Sequence, residues 1–255
     1  MGQSRIKESG YREVALAKSQ WCVFCGGATP AVEADHYPPR SLFTEKKWPE
    51  GYVFPACQAC NLASRDVDRW IALLSRMSAG DELDSELMAS ESARLMRQVA
   101  VKDRDLMRQM SSITTNEKRH RAKRMGLTLA PGELYRDLPF VSVPPALNDK
   151  VQYFATKLGK ALHFEHTGSI VPNGAEINVR WFTNVNELEN TIPEDAFKLA
   201  KGTVTLTRGK RDLSDQFNYR YTHSEDGALG IYTTWFRFSF CVIILSCLIR
   251  QSGPG

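Results

Sequence analysis

Two Cys-x-x-Cys motifs, about thirty residues apart, constrain this chain more than any other feature of its sequence. The first reads Cys22-Val23-Phe24-Cys25 and the second Cys57-Gln58-Ala59-Cys60. Each motif directs two thiolates to one point, and four thiolates complete the tetrahedral shell of a structural zinc ion. The spacing therefore predicts a structural Zn²⁺ on Cys22, Cys25, Cys57 and Cys60, with the intervening residues closed into a loop.

The cysteine distribution also bears on the cellular compartment. Four of the six cysteines lie in the two motifs, and Cys241 and Cys247 lie far away in an apolar segment. This distribution is typical of reduced, metal-bound thiolates rather than of a disulfide framework, so we expect a cytoplasmic protein. The charged first twenty residues do not resemble a signal peptide.

Composition sets wide limits on function. The chain has 255 residues, 42% of them hydrophobic, and a net charge of +4, which suits a polyanionic partner without requiring one. The apolar run 236–249 is interrupted by Arg237 and is shorter than the roughly 20 residues of a spanning helix. We expect it to be a buried strand, and we expect no membrane partner.

The loop between the two motifs carries groups suited to chemistry. It contains Asp35-His36-Tyr37-Pro38-Pro39-Arg40, and Asn61 directly follows the last cysteine. Carboxylate and amide oxygens suit hard cations such as Mg²⁺ or Mn²⁺. A histidine that is neutral at pH 7 accepts a proton from water. These residues are therefore a candidate second set of oxygen and nitrogen ligands, held beside the zinc rather than in its shell.

The order Cys-x-x-Cys, Asp-His-x-x-Pro-Arg, Cys-x-x-Cys-Asn resembles the zinc-stapled HNH endonucleases, whose module is the ββα-metal fold. The resemblance covers roughly residues 20–75. It implies that Asp35 and Asn61 bind one catalytic Mg²⁺ or Mn²⁺, that His36 is the general base and that Arg40 contacts phosphate. It further implies DNA cleavage in restriction, phage defence or mobile elements.

The sequence departs from the HNH pattern at one position. Tyr52 stands where the family has its middle Asn, so either the loop that carries the histidine is braced in another way or the site is weakened. Asp35 and His36 are adjacent, and on a strand they would face opposite sides, so we expect the backbone to turn at Pro38-Pro39. Asp66 and Asp68 are either additional ligands or, as we favour, solvated helix positions.

Periodicity predicts the remaining elements. Short strands are expected at 32–36 and 53–54, and Val67, Trp70, Ile71 and Leu74 share one helix face. Helical patterns follow to about 124, with a break near Ser90, and again over 147–162; strands are expected at 177–182, 204–208, 217–223 and 231–245. Thr191 is expected to cap a short helix.

These patterns predict an α+β fold in three parts. They are a nuclease module at 1–80, a helical connector at 81–130 and an α+β domain with an antiparallel sheet at 131–255. The role of the third part, and whether the chain forms homo-oligomers, are left open by the sequence.

Several basic residues are candidates for nucleic-acid binding. Lys46 and Lys47 lie in the loop between the motifs, and the densest cluster comprises Lys118, Arg119, Arg121, Lys123 and Arg124. A basic helix end either grips phosphates or is a solvated terminus favoured by the helix dipole. His163 and His166 are more simply explained as packed or solvated side chains than as a second metal site.

Two functional hypotheses follow. The first is a metal-dependent HNH endonuclease that hydrolyses DNA, with RNA as an alternative substrate. The second is a catalytically silent zinc module that binds nucleic acid or protein. They differ in whether His36 performs chemistry.

Overall fold

A computed structural model describes residues 2–77, 86–237 and 239–247. Within these ranges the helices are α1 (Gly2–Lys18), α2 (Gln58–Ala63), α3 (Arg65–Leu74), α4 (Glu86–Lys102), α5 (Arg104–Met110), α6 (Thr115–Arg124), α7 (Pro145–Thr167) and α8 (Asn184–Leu188). The strands are β1 (Glu33–His36), β2 (Val53–Ala56), β3 (Glu176–Thr183), β4 (Gly202–Thr203), β5 (Thr207–Arg208), β6 (Arg211–Asp212), β7 (Asn218–His223), β8 (Leu229–Phe236) and β9 (Phe240–Cys247). This mixture of helices with an antiparallel sheet confirms the predicted α+β class.

The N-terminal part forms a small hairpin followed by helices. Strands β1 and β2 pair antiparallel, with Asp35 opposite Phe54 and His36 opposite Val53. Helices α2 and α3 follow directly, and the apolar face predicted for α3 is buried. The order strand, strand, helix is the one that the HNH resemblance implies, while the family assignment itself stays a prediction.

Helix α7 is the central element of the C-terminal half. Pro145 occupies its first turn, and Gly168 ends it in the left-handed region at φ 70°. The helix lies against the five-stranded sheet, whose strand order is β3-β9-β8-β7-β4. A Cβ on Gly159 would lie 2.7 Å from Ile244 Cγ2, so a glycine is what allows helix and sheet to approach this closely.

The two halves of the chain share one hydrophobic core. Tyr37, Phe54 and Leu42 from the hairpin region belong to the same buried cluster as Phe154 of α7 and Phe236 of β8. A second cluster joins α3 to α4 and α5 through Trp70, Leu95 and Leu106. The predicted boundary at 80/81 lies outside the described residues.

The structure corrects several local expectations. Helix α4 runs through Ser90, and the chain is interrupted at Asp103 instead. Thr191 caps no helix, and its hydroxyl oxygen accepts instead from Asn186 Nδ2. A single 3₁₀ turn (Glu194–Phe197) forms in place of the expected helix. The expected strand at 204–208 is reduced to β5, which pairs only with β6.

Where it is described, the apolar C-terminal run comprises the last residue of β8, a turn and the whole of β9. β9 is central in the sheet between β3 and β8, as expected of a buried strand. Among the described residues, none of the helices combines the length and apolar character needed to cross a membrane.

Candidate functional site

The four predicted zinc ligands converge. One ligand atom from each of Cys22, Cys25, Cys57 and Cys60 lies within 4.8 Å of the others. Zn–S bonds of about 2.3 Å place thiolates roughly 3.8 Å apart in a tetrahedron, so small side-chain adjustments suffice to close the shell. The donor set therefore fits a structural metal ion such as zinc.

Local backbone geometry and helix α7 together hold the two cysteine motifs. Gly26 and Gly27 have positive φ, and a Cβ on Gly26 would lie 2.5 Å from Asn173 N, so glycine is required at this turn. Lys160 Nζ donates to Phe24 O at 2.8 Å in the first motif. Lys157 Nζ donates to Cys60 O at 3.2 Å in the second. Helix α7 thus contacts both halves of the zinc site.

His36 lies in an aromatic pocket on one face of the hairpin. Its ring centroid is 4.4 Å from that of Trp48 and 5.4 Å from that of Tyr11, both in edge-on contacts. The guanidinium carbons of Arg40 and Arg208 lie 4.3 Å and 4.1 Å from the Trp48 ring centroid. Trp48 is only 4% exposed, and its ring contacts both guanidinium groups and the His36 imidazole.

The electrostatics of this cluster favour a neutral imidazole. Burial, reinforced by the positive charges of Arg40 and Arg208, lowers the pKa of His36 to about 4. His36 is therefore uncharged at pH 7, which is the form that accepts a proton.

The guanidinium groups beside His36 have no carboxylate partner among the described residues. Among the described residues, neither Arg40 nor Arg208 has a carboxylate within ion-pair distance. His36 Nε2 and Arg40 Nε are buried, and neither has a hydrogen-bond partner in the described part of the chain. Because buried polar atoms normally have partners, Arg40 Nε has the capacity to donate to an acceptor such as an anion, and the basic nitrogen of a neutral His36 has the capacity to accept from a donor such as water.

Arg208 is fixed in place by contacts from the N-terminal half. Its guanidinium donates to Trp48 O and to the Tyr11 hydroxyl, both at 3.2 Å. Glu50 N donates to Thr207 O at 3.0 Å, which ties β5 to the loop after Trp48. The His36 cluster is thus assembled from both halves of the chain.

Asp35 faces the opposite side of the hairpin from His36. Both residues lie within β1, so the turn expected at this point begins only after the strand, because His36 is still paired with Val53. Asp35 is 7% exposed, and its Oδ2 accepts a hydrogen bond from Lys157 Nζ at 2.5 Å. Burial raises the pKa of the Asp35 carboxyl, and the Lys157 ammonium opposes that rise.

The other predicted ligands also have protein partners. Asn61 Nδ2 donates to Glu33 Oε2 at 2.5 Å. Asp68, expected to be solvated, is instead largely buried, and its Oδ2 accepts from Ser64 Oγ at 3.0 Å. Burial raises the pKa of Asp68 to about 7, although the Lys157 charge lowers it.

The residue set predicted for a catalytic divalent ion does not fit one in this arrangement. Asp35 is ion-paired with Lys157, and His36 faces away from Asp35 on the strand. The hydrogen bond from Asn61 Nδ2 to Glu33 orients the amide without occupying its oxygen, so Asp35 is the ligand that is blocked. The cysteine cluster is the single group of three or more His, Cys, Asp or Glu side chains in the described ranges that could hold a metal. The Asp35 side and the His36 side of the hairpin are therefore separate sites.

Tyr52 supplies a brace where the middle Asn is absent. Its hydroxyl lies 2.6 Å from the Tyr219 hydroxyl, which in turn lies 2.8 Å from His166 Nε2. Tyr52 is 6% exposed and belongs to the shared core. The loop leading to β2 is therefore anchored on the C-terminal sheet.

The histidines of α7 have local partners of their own. His163 Nδ1 lies 3.2 Å from Ser246 Oγ, and His166 stacks on Tyr221 with ring centroids 3.9 Å apart. These contacts place both imidazoles between α7 and the sheet.

The predicted basic residues differ in their availability. Lys46 is exposed, and Lys47 pairs with Glu45 at 2.7 Å. On α6, Lys118 donates to the carbonyls of Arg136 and Leu138, and Arg124 pairs with Glu189. The α6 residues left exposed or half-exposed, with no ion pair among the described residues, are Arg119, Arg121 and Lys123.

Three residues of the site could not be identified from motif spacing. Lys157 and Arg208 lie far from the hairpin in sequence, and Trp48 is an aromatic residue in a proline-containing loop, outside every motif. The run Arg208-Gly209-Lys210-Arg211 is a local basic signal that would have marked Arg208. Lys157 sits in an amphipathic helix and carries no such signal.

Comparison with known proteins leaves the site to be interpreted from its own residues. No protein-family model matches the chain, and no curated protein or solved structure matches it. The geometry on the two faces of the hairpin therefore carries the functional argument.

Proposed function

We propose that this chain is an endonuclease that hydrolyses DNA phosphodiester bonds at a site formed by His36, Arg40 and Arg208. The observation that carries the proposal is a neutral imidazole beside two guanidiniums that lack carboxylate partners among the described residues. Phosphodiester hydrolysis needs a base for the attacking water and positive charge for the phosphate oxygens. This cluster offers both.

Each residue has a distinct role in the proposed step. His36 takes a proton from water, whose oxygen attacks phosphorus, and the bond from phosphorus to the 3′ oxygen breaks. Arg40 and Arg208 hold the non-bridging oxygens, where negative charge accumulates in the transition state. The products are a 5′-phosphate and a 3′-hydroxyl, the latter after protonation of the leaving oxygen.

The surroundings support a nucleic-acid substrate. Three exposed cations lie near the cluster: Lys46 in the loop before Trp48, and Lys210 and Arg211 directly after Arg208. The two groups are close to each other, because Lys47 and, to a smaller extent, the charge of Arg211 both lower the pKa of Glu45. Such a rim of cations adds affinity for a phosphate backbone without reading sequence. The resemblance to zinc-stapled HNH enzymes points the same way, with restriction, phage defence or mobile-element cleavage as the setting.

The metal ions have separate places in the proposal. Zn²⁺ on the four cysteines is structural. The catalytic Mg²⁺ or Mn²⁺ that the resemblance implies would use the Asp35 carboxylate and the Asn61 amide oxygen, and the Lys157 ammonium now occupies that carboxylate.

A second candidate function is favoured by one contact. The ion pair between Asp35 and Lys157 occupies the carboxylate that an HNH enzyme uses for its metal. An ion pair that blocks the metal ligand is expected of a catalytically silent zinc module that only binds nucleic acid or protein. The two functions differ in whether the His36 side cleaves its ligand.

Replacing His36 with glutamine tests the proposal. Zinc-loaded wild type is incubated with plasmid, linear duplex, single-stranded DNA and RNA, with and without Mg²⁺ or Mn²⁺. We expect cleavage of DNA by the wild type and a fall of at least about 100-fold in His36→Gln, because the general base is lost. His120→Gln, on α6, is the matched control and should cleave like the wild type.

Zinc content and circular dichroism establish that each variant is folded. Cleavage of RNA alone would change the substrate class but not the site. If no nucleic acid is cut under any condition while the wild type still binds DNA, the silent module is the correct reading.

A further inference from the structure

Lys157 has the most completely engaged ammonium of the site. It is 5% exposed, and its Nζ contacts Asp35 Oδ2 at 2.5 Å, Ser64 Oγ at 2.8 Å and Cys60 O at 3.2 Å. A lysine ammonium has three donors, so these three acceptors satisfy it. The rings of Phe24 and Tyr37 add cation–π contacts at 4.5 Å and 4.8 Å.

The position of Lys157 is set by a buried helix. Its neighbours Phe154, Leu158 and Ala161 on α7 are fully buried in the core shared by both halves of the chain. Moving the ammonium away from Asp35 would require either an unfavourable side-chain rotamer or a shift of this helix. The contact is therefore part of the core rather than a surface ion pair.

We propose that Lys157 is the resident cation of the Asp35 site, where its ammonium takes the place of a divalent ion. The site has oxygen ligands that suit such an ion, namely the carboxylates of Asp35 and Asp68 and the hydroxyl of Ser64. Asp68 Oδ1 is buried without a hydrogen-bond partner among the described residues, so the ligand set exceeds what Lys157 uses. A divalent ion must displace the ammonium, because two cations cannot share one buried carboxylate without strong repulsion.

This inference deepens the proposed nuclease function, and its catalytic meaning rests on that function. If Lys157 neutralises Asp35, the His36 side relies on Arg40 and Arg208 for charge stabilisation, and cleavage proceeds in buffer freed of divalent ions. The binding measurement below involves no cleavage, so it can fail or succeed independently of nuclease activity.

Mn²⁺ binding to zinc-loaded protein tests the inference. Titration calorimetry and Mn²⁺ electron paramagnetic resonance are applied to wild type, Asp35→Asn, Lys157→Met and the double variant Lys157→Met/Asp35→Asn. Lys160→Met is the matched control, because Lys160 lies on the same helix and donates to Phe24 O. Zinc remains on the thiolates, which prefer it strongly to Mn²⁺.

We expect one Mn²⁺ to bind Lys157→Met at least about tenfold more tightly than wild type or Lys160→Met. Removal of the ammonium frees Asp35 Oδ2 and Ser64 Oγ, and Asp68 Oδ1 already lacks a hydrogen-bond partner among the described residues. Asp35→Asn in the double variant should abolish the gain. Mn²⁺ should also raise the Tm of Lys157→Met and leave that of wild type unchanged. Lys157→Gln, which keeps hydrogen-bond donors, replaces Lys157→Met if that variant does not fold.

The inference is overturned if wild type binds one Mn²⁺ that Asp35→Asn removes. It is equally overturned if the folded Lys157 variant gains no Mn²⁺ affinity over wild type. The wild-type comparison needs no Lys157 variant to fold, so a result is obtained in every case.

Discussion

Replacing Cys57 with serine is expected to leave the chain unfolded at 25 °C. Structural zinc sites contribute about 10 kcal/mol or more of apparent folding free energy, which rivals the roughly 5–15 kcal/mol total of a typical domain. Cys57 is buried at the start of α2 and joins the second cysteine motif to the first. The loss should therefore spread from the zinc site to the hairpin and to α7.

Far-ultraviolet circular dichroism and zinc content measure this effect. Cys241→Ser is the matched control, because Cys241 is also a buried, unpaired cysteine but lies on β9 away from the zinc site. We expect Cys241→Ser to keep one zinc per chain and a cooperative transition. A Cys57→Ser protein that contains no metal and still melts at the wild-type temperature would contradict a structural role for the zinc.

Removing both guanidiniums beside His36 is expected to lower kcat/KM for DNA cleavage by about 10⁴-fold. A single preorganised donor to transition-state charge is worth about 10²-fold or more, and Arg40 and Arg208 flank the same ring. The single variants Arg40→Ala and Arg208→Ala should each lose about 100-fold. Because Arg208 lies in the C-terminal half, a loss of activity in Arg208→Ala would show that this half takes part in the site.

The double variant needs a control for charge. Arg97→Ala/Arg104→Ala removes two exposed arginines from α4 and α5, neither of which belongs to a predicted nucleic-acid surface. We expect it to cleave within about threefold of wild type, since distant surface charges act only through screened electrostatics. Equal losses in the two double variants would mean that net charge, and not the placement of Arg40 and Arg208, accounts for the effect.

The parts of the molecule that could be predicted are those encoded by local spacing. Four cysteines at fixed intervals, alternating strands and the face of α3 each depend on residues close in sequence. The structure confirms the cysteine cluster, the hairpin and the antiparallel sheet. Local patterns failed at Thr191, where the Asn186 amide donates to the hydroxyl oxygen that was expected to cap a helix.

The residues that surround Asp35 and His36 could not be predicted, because they come from distant parts of the sequence. Lys157 is 122 residues from Asp35, and Arg208 is 160 residues from Trp48. Only packing of α7 and the β5–β6 hairpin against the N-terminal half brings them there. Tyr52 shows the same effect, because its partner Tyr219 lies on the distant β7.

The dependence of the cleavage rate on pH tests the central claim most directly, namely that a neutral His36 held beside Arg40 and Arg208 is the general base. Lowering the pH protonates His36 only as it approaches about 4, so the rate of wild type should stay level from pH 7 to about 5 and fall below that. Burial, the largest cause of the low His36 pKa, remains in Arg208→Ala, but one of the two lowering charges is gone. The midpoint should therefore move up part of the way towards the ordinary histidine value of about 6.5. Circular dichroism at each pH separates this effect from unfolding. A wild-type profile that falls around pH 6.5, or a residual rate in His36→Gln with the same pH dependence as wild type, would contradict the account.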